Sequence, residues 1–335
     1  MRVIIKVCLV LFVIGLTTAV ISIFMGLDIE ALRTFLNEDD LYEEKTYVVT
    51  NEFDLLDIHV DRRHIHYKVT DDSFYTISYY EKEDETWTFT TNDRIFTIEQ
   101  SEKQGIRHWF NYKYVSKEII TMTIEVPRSA LLELSLSTNV GEIRLEFDEF
   151  YTLNQIDLSS QTGSIYMSYI EAPSLRINVN TGNIRLSDIK IDGNINITSD
   201  TGNALLSDIE AKELKVVSDT GSVNVSNALC DQLEIKVDTG RILISDTQVE
   251  SSIKATTQTG AINLTHAHAS SYDLKSQTGT VTLTFTNLND FYYNLRTQTG
   301  TITIEGDSKS KTYQTTAGDV LIKVDVQTGD IRIQS

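Results

Sequence analysis

A Thr-Gly turn returns every 19–21 residues from about residue 140 to the C-terminus, and this period constrains the fold more than any other feature. The turn glycines are Gly163, Gly182, Gly202, Gly221, Gly240, Gly260, Gly279 and Gly300. Around each turn apolar residues alternate with polar ones. Leu214 and Val216 stand before Gly221, and Val223 and Val225 follow it. A period of two over four to six residues describes a half-buried strand. The turn needs positive φ, which a residue without Cβ adopts cheaply. Two short strands cannot bury their inner face alone, but stacked copies can. The spacing therefore predicts an all-β chain whose repeat region is a parallel β-solenoid of 19–21-residue coils. Stacked about 4.8 Å apart, eight to ten coils make a rod roughly 40–50 Å long. A meander of antiparallel hairpins fits less well, because like residues occupy like positions in successive repeats, as in-register stacking requires.

The N-terminus carries a different signal. Arg2 and Lys6 precede an uncharged apolar run from Val7 to Leu27, and Asp28, Glu30, Glu38, Asp39 and Asp40 follow it. The run is long enough to span a bilayer as one transmembrane helix. The positive-inside bias places the N-terminus in the cytoplasm and the remainder outside. No small-residue cleavage site stands out after the run, so a retained single-pass anchor in the cell membrane is expected. Cys8 has neither the preceding apolar run nor the small neighbour of a lipid-modified cysteine. Cys230 is the only other cysteine, so an internal disulfide in the outer part is excluded. A net charge of −19 removes nucleic acid from the partners, since that ligand needs a positive footprint.

Four regions follow in order. Residues 1–27 form the cytoplasmic tip and anchor, and residues 28–45 an acidic juxtamembrane linker. Residues 46–126 form a β-rich region that holds Trp87, Trp109 and 14 of the 29 aromatic residues. It is expected to cap the first coil, because a solenoid end exposes unpaired backbone. Residues 127–335 form the repeat domain. At the far end, the last coil, with Ile331 and Ile333, is expected to be exposed, which makes end-to-end pairing with a second copy a further expectation.

The strand ending in Val126-Pro127, the strand and turn around Gly141, and the Thr-Gly coils after it resemble the bacterial "putative adhesin" family of β-strand repeat proteins. Membrane-anchored LiaG-like envelope proteins are similar. The resemblance covers roughly residues 46–335 and implies a β-solenoid and an envelope location. It supplies no catalytic residues and no proven ligand.

Three constellations carry candidate chemistry. Asp-Thr-Gly occurs at Asp200, Asp219 and Asp238, a tripeptide that supplies a catalytic carboxylate in aspartic proteases. Here Gln161, Asn180, Gln258, Gln277, Gln298 and Gln327 fill the same slot, so its role is turn formation. Stacked at about 4.8 Å, the three carboxylates repel, and solvent, a proton or a cation must relieve them. Asp200, Asp219 and Asp238 are therefore the candidate ligands of a weak Ca²⁺ site. A second row, Asp188, Asp208, Asn227, Asp246, His266 and Asn287, each after Ser or Thr, reads as a second corner of the coil. The pairs His64/His66 and His266/His268 could each chelate across one strand face, but no clear carboxylate partner accompanies them. Finally, residues 103–117 are basic and aromatic within an acidic chain. Arg107, Trp109, Phe110, Tyr112 and Tyr114 are the candidate ligand-binding residues there, suited to a sugar face, a lipid headgroup or a partner protein. The alternative is a hairpin whose rings fill the cap.

The chain reads as a non-catalytic, extracytoplasmic envelope protein, a binding or scaffold module linked to envelope stress or adhesion. Its expected partners are an envelope membrane protein or a cell-wall polymer. The runner-up is a surface carbohydrate-active β-helix enzyme, which would need a paired acid and base in a cleft built by long loops.

Overall fold

The parity of burial changes at three places in each repeat, and those places are the corners of the coil. In one repeat Ala204, Leu206, Ile209, Ala211, Leu214 and Val216 are buried. Alternation holds from 204 to 206, slips by one residue before 209, and slips again before 214. Each slip keeps the next run pointing inward, so one coil closes a continuous apolar column.

The computed structural model describes residues 39–102, 115–288 and 290–335. These residues form strands and one 3₁₀ turn, Asp39–Leu41, with no α-helix among them. The strand Ala204–Thr220 pairs in parallel with Ile184–Thr201 on one side and Val223–Thr239 on the other. Its partners stand in register, with Leu214 beside Ile195 and Leu233. The layers therefore form a solenoid-like stack, and the like-on-like register read from the repeat holds through this stretch.

The ends are built differently from the sequence order. At the C-terminal end the strand Val320–Thr328 pairs with Ser271–Thr278 on one side and Phe291–Thr299 on the other. Likewise Ile331–Gln334 lies between Val281–Thr284 and Ile302–Ile304. The last coil of the chain is thus the second-to-last layer of the stack. Ile331 and Ile333 are 0 % and 1 % exposed. The expected exposed last coil is therefore corrected: both its edges are paired, and the outer layer is the coil starting at Phe291. That layer is covered by two short antiparallel strands, Thr312–Gln314 and Asp307–Lys309.

The N-terminal end uses the same device. The strands Leu55–Val60 and His64–Thr70 form a layer against Glu133–Val140 and Ile143–Thr152. A second layer, Ile95–Glu102 and Thr121–Pro127, stacks outside it in parallel. Antiparallel strands then close the edge, Glu85–Asn92 on one face and Tyr75–Glu81 on another, with Glu43–Val49 beyond. Residues 55–102 and 121–127 thus contribute two layers to the stack itself, besides the strands that cover it. A cluster of rings fills this end, with Tyr47 stacked on Phe89 at 4.4 Å and Tyr79 tilted by 40° against Trp87 at 4.2 Å.

Candidate functional site

The Thr-Gly corner is the most constrained part of each coil. Gly221 has φ +143°, and a Cβ there would lie 1.8 Å from the Gly202 carbonyl oxygen. The glycine amides link the layers: Gly202 donates to Thr220 and Gly221 to Thr239, both at 2.9 Å. Just inside the corner runs a buried column that includes Ser160, Ser199, Ser218, Thr257, Ser276 and Thr297. The Thr297 hydroxyl donates to the Gly329 carbonyl at 2.9 Å and Ser276 to Gly260 at 3.3 Å. Val179 and Val237 occupy the same slot, so volume rather than the hydroxyl is what the position demands.

Asp200, Asp219 and Asp238 stand outside this corner in adjacent layers, since Thr201, Thr220 and Thr239 pair in register. In-register stacking runs them along a line, one strand spacing apart, and their oxygens do not converge on one point. Among the described residues no three His, Cys, Asp or Glu side chains come together as a metal-ligand group. The Ca²⁺ expected on Asp200, Asp219 and Asp238 therefore stays an expectation of the sequence. Asp238 has its own partner, the Lys236 ammonium at 3.8 Å.

The second row does form a corner. Asp188, Asp208, Asn227, Asp246 and His266 all adopt left-handed backbone, with φ between 48° and 56°. Tyr169 and Glu305 do the same without the Asp/Asn signature, and Asn287 is not among the positive-φ residues. His266 is thus a corner residue whose Nδ1 lies 3.3 Å from Asp246 Oδ1.

The pair His64 and His66 sits on an outward strand face. The Glu142 amide donates to His64 Nδ1 at 2.8 Å, and burial pushes both imidazoles below their ordinary range. Beside them Glu142 receives Lys117 at 2.8 Å and Arg144 at 3.2 Å. With its Nδ1 occupied by a backbone amide, His64 cannot chelate through that atom.

The ligand-binding candidates Arg107, Trp109, Phe110, Tyr112 and Tyr114 lie outside the described residues, as do the apolar run 7–27 and residues 28–38 of the linker. The strands flanking the basic stretch are described. Ile95–Glu102 and Thr121–Pro127 bracket it at the place where later coils have the Thr-Gly turn. Among the described residues no helix is long and apolar enough to cross a membrane.

Two constellations escaped sequence reading because they join distant segments. Asp57 Oδ1 lies 3.1 Å from His59 Nε2, and His59 Nδ1 lies 2.6 Å from Ser137 Oγ. The trio has the composition of a nucleophilic triad. The Ser137 hydroxyl also has the Ile58 carbonyl as an acceptor at 3.1 Å, so the imidazole is not its only partner. The strand amides around it are in ladder pairing, which leaves no backbone oxyanion donors. The second constellation is a buried ion pair, Arg63 with Glu85, whose side chains are 1 % and 0 % exposed. Arg63 also donates to the Arg62 carbonyl at 2.8 Å and lies 5.6 Å from the Trp87 ring centre. Nothing near residue 63 in the sequence foretells a partner 22 residues away.

Comparison with known proteins gives a family match over almost the whole described chain. The family model Toastrack DUF4097 matches twice, at residues 53–194 and 192–334. No curated protein matches the chain. Among solved structures it is similar to a putative adhesin from Bacteroides fragilis, with 14 % identity, 89 % of this chain and 99 % of that one covered, and a TM-score of 0.36. A putative adhesin from Parabacteroides distasonis gives 13 % identity, coverage of 88 % and 98 %, and a TM-score of 0.47. A putative lipid binding protein from the same organism gives 13 %, 87 % and 96 %, and 0.44.

Proposed function

The chain belongs to the Toastrack DUF4097 family, and on that premise we propose that it is a non-catalytic binding or scaffold module of the cell envelope. In this reading the run 7–27 anchors it in the membrane, and residues 46–335 stand outside as a rigid parallel β-solenoid. Its work is to present a fixed surface to an envelope membrane protein or a cell-wall polymer, in envelope-stress sensing or adhesion. The observation that carries the reading is the shortness of the corners. Between residues 155 and 284 the longest gap between consecutive strands is the five residues between Ile262–Thr265 and Ser271–Thr278. Loops of that size build no walls around a reaction, whereas a stiff stack holds its surface groups at fixed spacing, as recognition of an extended partner requires. The apolar run with Arg2 and Lys6 before it and carboxylates after it supports the orientation.

The test is a crosslinking pull-down of the full chain from its own membranes, with Trp109→Ala alongside. Recovery of one defined membrane protein supports the scaffold reading. Wall polymer alone, lost in Trp109→Ala, supports carbohydrate binding through the basic stretch. Turnover of that polymer by the purified chain would overturn the non-catalytic reading.

A further inference from the structure

The third corner of the coils forms a trough that neither the repeat motif nor the family match assigns. Its volume is about 670 Å³. It runs across successive layers from Leu131, past Asn154, Pro173, Asp192 and Lys212, to Glu250. Small buried side chains make its floor: Ala172, Ala211 and Cys230 are 4 %, 8 % and 3 % exposed. Ile191, between Ala172 and Ala211 in the same row, and Leu153 are its larger buried members.

One bank is a straight ladder in which Glu171, Lys190, Glu210 and Leu229 pair in register. The other bank is the row of turn residues, including Asp192, Asp231 and Glu250. The lining carries five carboxylates against two lysines, and Lys190 is already held by Glu171 at 3.3 Å. The trough therefore carries a net negative charge, gathered at Asp192, Glu210, Asp231 and Glu250. It is also not purely polar. Leu131 and Leu229 line it and are 51 % and 46 % exposed, which places two apolar contacts about five layers, or ~24 Å, apart.

We propose that this trough is a docking site for an extended basic peptide segment of a partner protein, with lysine or arginine between two apolar residues. Charge complementarity selects the cationic side chains. The straight bank selects an extended backbone, because at about 3.4 Å per residue roughly seven residues span the distance from Leu131 to Leu229. The proposal rests on the reading of the chain as a binding module and names the chemistry of what it binds.

The experiment measures binding of labelled decapeptides to the full chain by fluorescence anisotropy at 150 mM salt. The probe has leucine near each end and alternating lysine and serine between. A control peptide has glutamate for lysine. Three protein variants are compared. One neutralises the trough, Glu210→Gln with Asp231→Asn and Glu250→Gln. One removes the apolar contact, Leu229→Ser. One neutralises the same amount of charge elsewhere, Asp200→Asn with Asp219→Asn and Asp238→Asn, in slots where other coils carry Asn or Gln. The expected result is binding of the basic peptide only, weakened at least tenfold by the trough triple, several-fold by Leu229→Ser, and less than twofold by the distant triple. Equal weakening by the two triples would overturn the proposal, since attraction by an acidic chain at large explains it. So would no binding of the basic peptide by the unaltered chain. The pull-down separates the two readings: a partner recovered equally with the trough triple keeps the binding module and removes the trough, whereas no partner from any form of the chain removes the module itself.

Discussion

Replacing Gly221 by alanine tests the stacking argument at its tightest point. Two costs are separable. The first is backbone: at φ +143° an L-residue is strained, at about 1–3 kcal/mol. The second is contact. The new Cβ would stand 1.8 Å from the Gly202 oxygen and 2.6 Å from its carbonyl carbon, both backbone atoms of the neighbouring layer. Relief requires the layers to part by more than ~1 Å against a spacing of about 4.8 Å. That breaks the bonds that cross between them at this corner, Gly202 to Thr220 at 2.9 Å and Ala204 to Ser222 at 3.0 Å. Each lost bond costs about 1 kcal/mol, and more where the groups stay buried. The total is ~4 kcal/mol or above. Gly306→Ala is the control, because Gly306 has φ +81° and no atom within 4 Å of its Cβ position. It should cost only the backbone term, about 1–2 kcal/mol. In urea unfolding followed by far-UV circular dichroism, Gly221→Ala should lower the midpoint by about 1 M or more, and Gly306→Ala by well under half of that. If the two variants unfold at the same midpoint, layer contact is not what the repeated glycine protects.

Arg63→Met should destabilise the N-terminal end by ~3–5 kcal/mol at pH 7, because Glu85 then stays buried without its counter-charge. Burial, the largest influence on Glu85, holds its carboxyl above the usual range even with Arg63 present. A raised folded value means the folded state keeps a proton that the unfolded state has lost. This group's contribution is therefore most favourable at low pH and declines as pH rises from the ordinary carboxylate range through the raised value. The deficit of Arg63→Met should shrink from pH 7 to pH 4; a constant deficit in denaturant titrations at both pH values would contradict the assignment. Cys230 is buried, and its thiol is pushed up to about 12, so alkylation at pH 8 followed by peptide mass spectrometry should label it only after unfolding. Glu234 receives Lys254 at 2.6 Å and Lys215 at 3.3 Å from the layers either side. Glu234→Lys puts three ammonium groups in one row and should cost about 1 kcal/mol, partly restored in 1 M salt. An effect that salt leaves unchanged would point to packing instead.

What the sequence made legible follows from what the period encodes. Alternation around Gly202 and Gly221 reports strand direction and inward face, and both hold. The row Asp188 to His266 reports a corner, and its left-handed backbone is that corner. The same row hides Tyr169 and Glu305, which take the conformation without the favoured side chain. The charge row Lys215, Glu234, Lys254 and Asp273 is readable once the register is known, at spacings of 19–20 residues. The first layers were not readable as layers, because 61–63 stands where Thr-Gly stands elsewhere and the strands Ile95–Glu102 and Thr121–Pro127 are far apart in sequence. The cation site meets a related limit: period shows which residues share a row, but not whether a row of parallel side chains converges on an ion.

The order of the layers is the deeper case. Each regular coil offers the same inward pattern, so Val324 fits beside Leu274 as well as Leu295 does, and no pairwise preference decides between them. In the fold, Val324 lies between the two. A stack of interchangeable layers has a hazard that follows from this freedom, since its open edge accepts another copy as readily as its own next coil. The chain meets that hazard by spending its irregular segments at the ends. Residues 305–319 carry the chain outward, lay two short antiparallel strands against the outermost layer, and return it to fill the layer beneath. Residues 71–94 do the equivalent at the other end. At both ends antiparallel strands take the place that a further parallel, in-register layer would occupy. The irregular stretches, which look like lapses in the repeat when read along the sequence, are what covers the two ends of the stack.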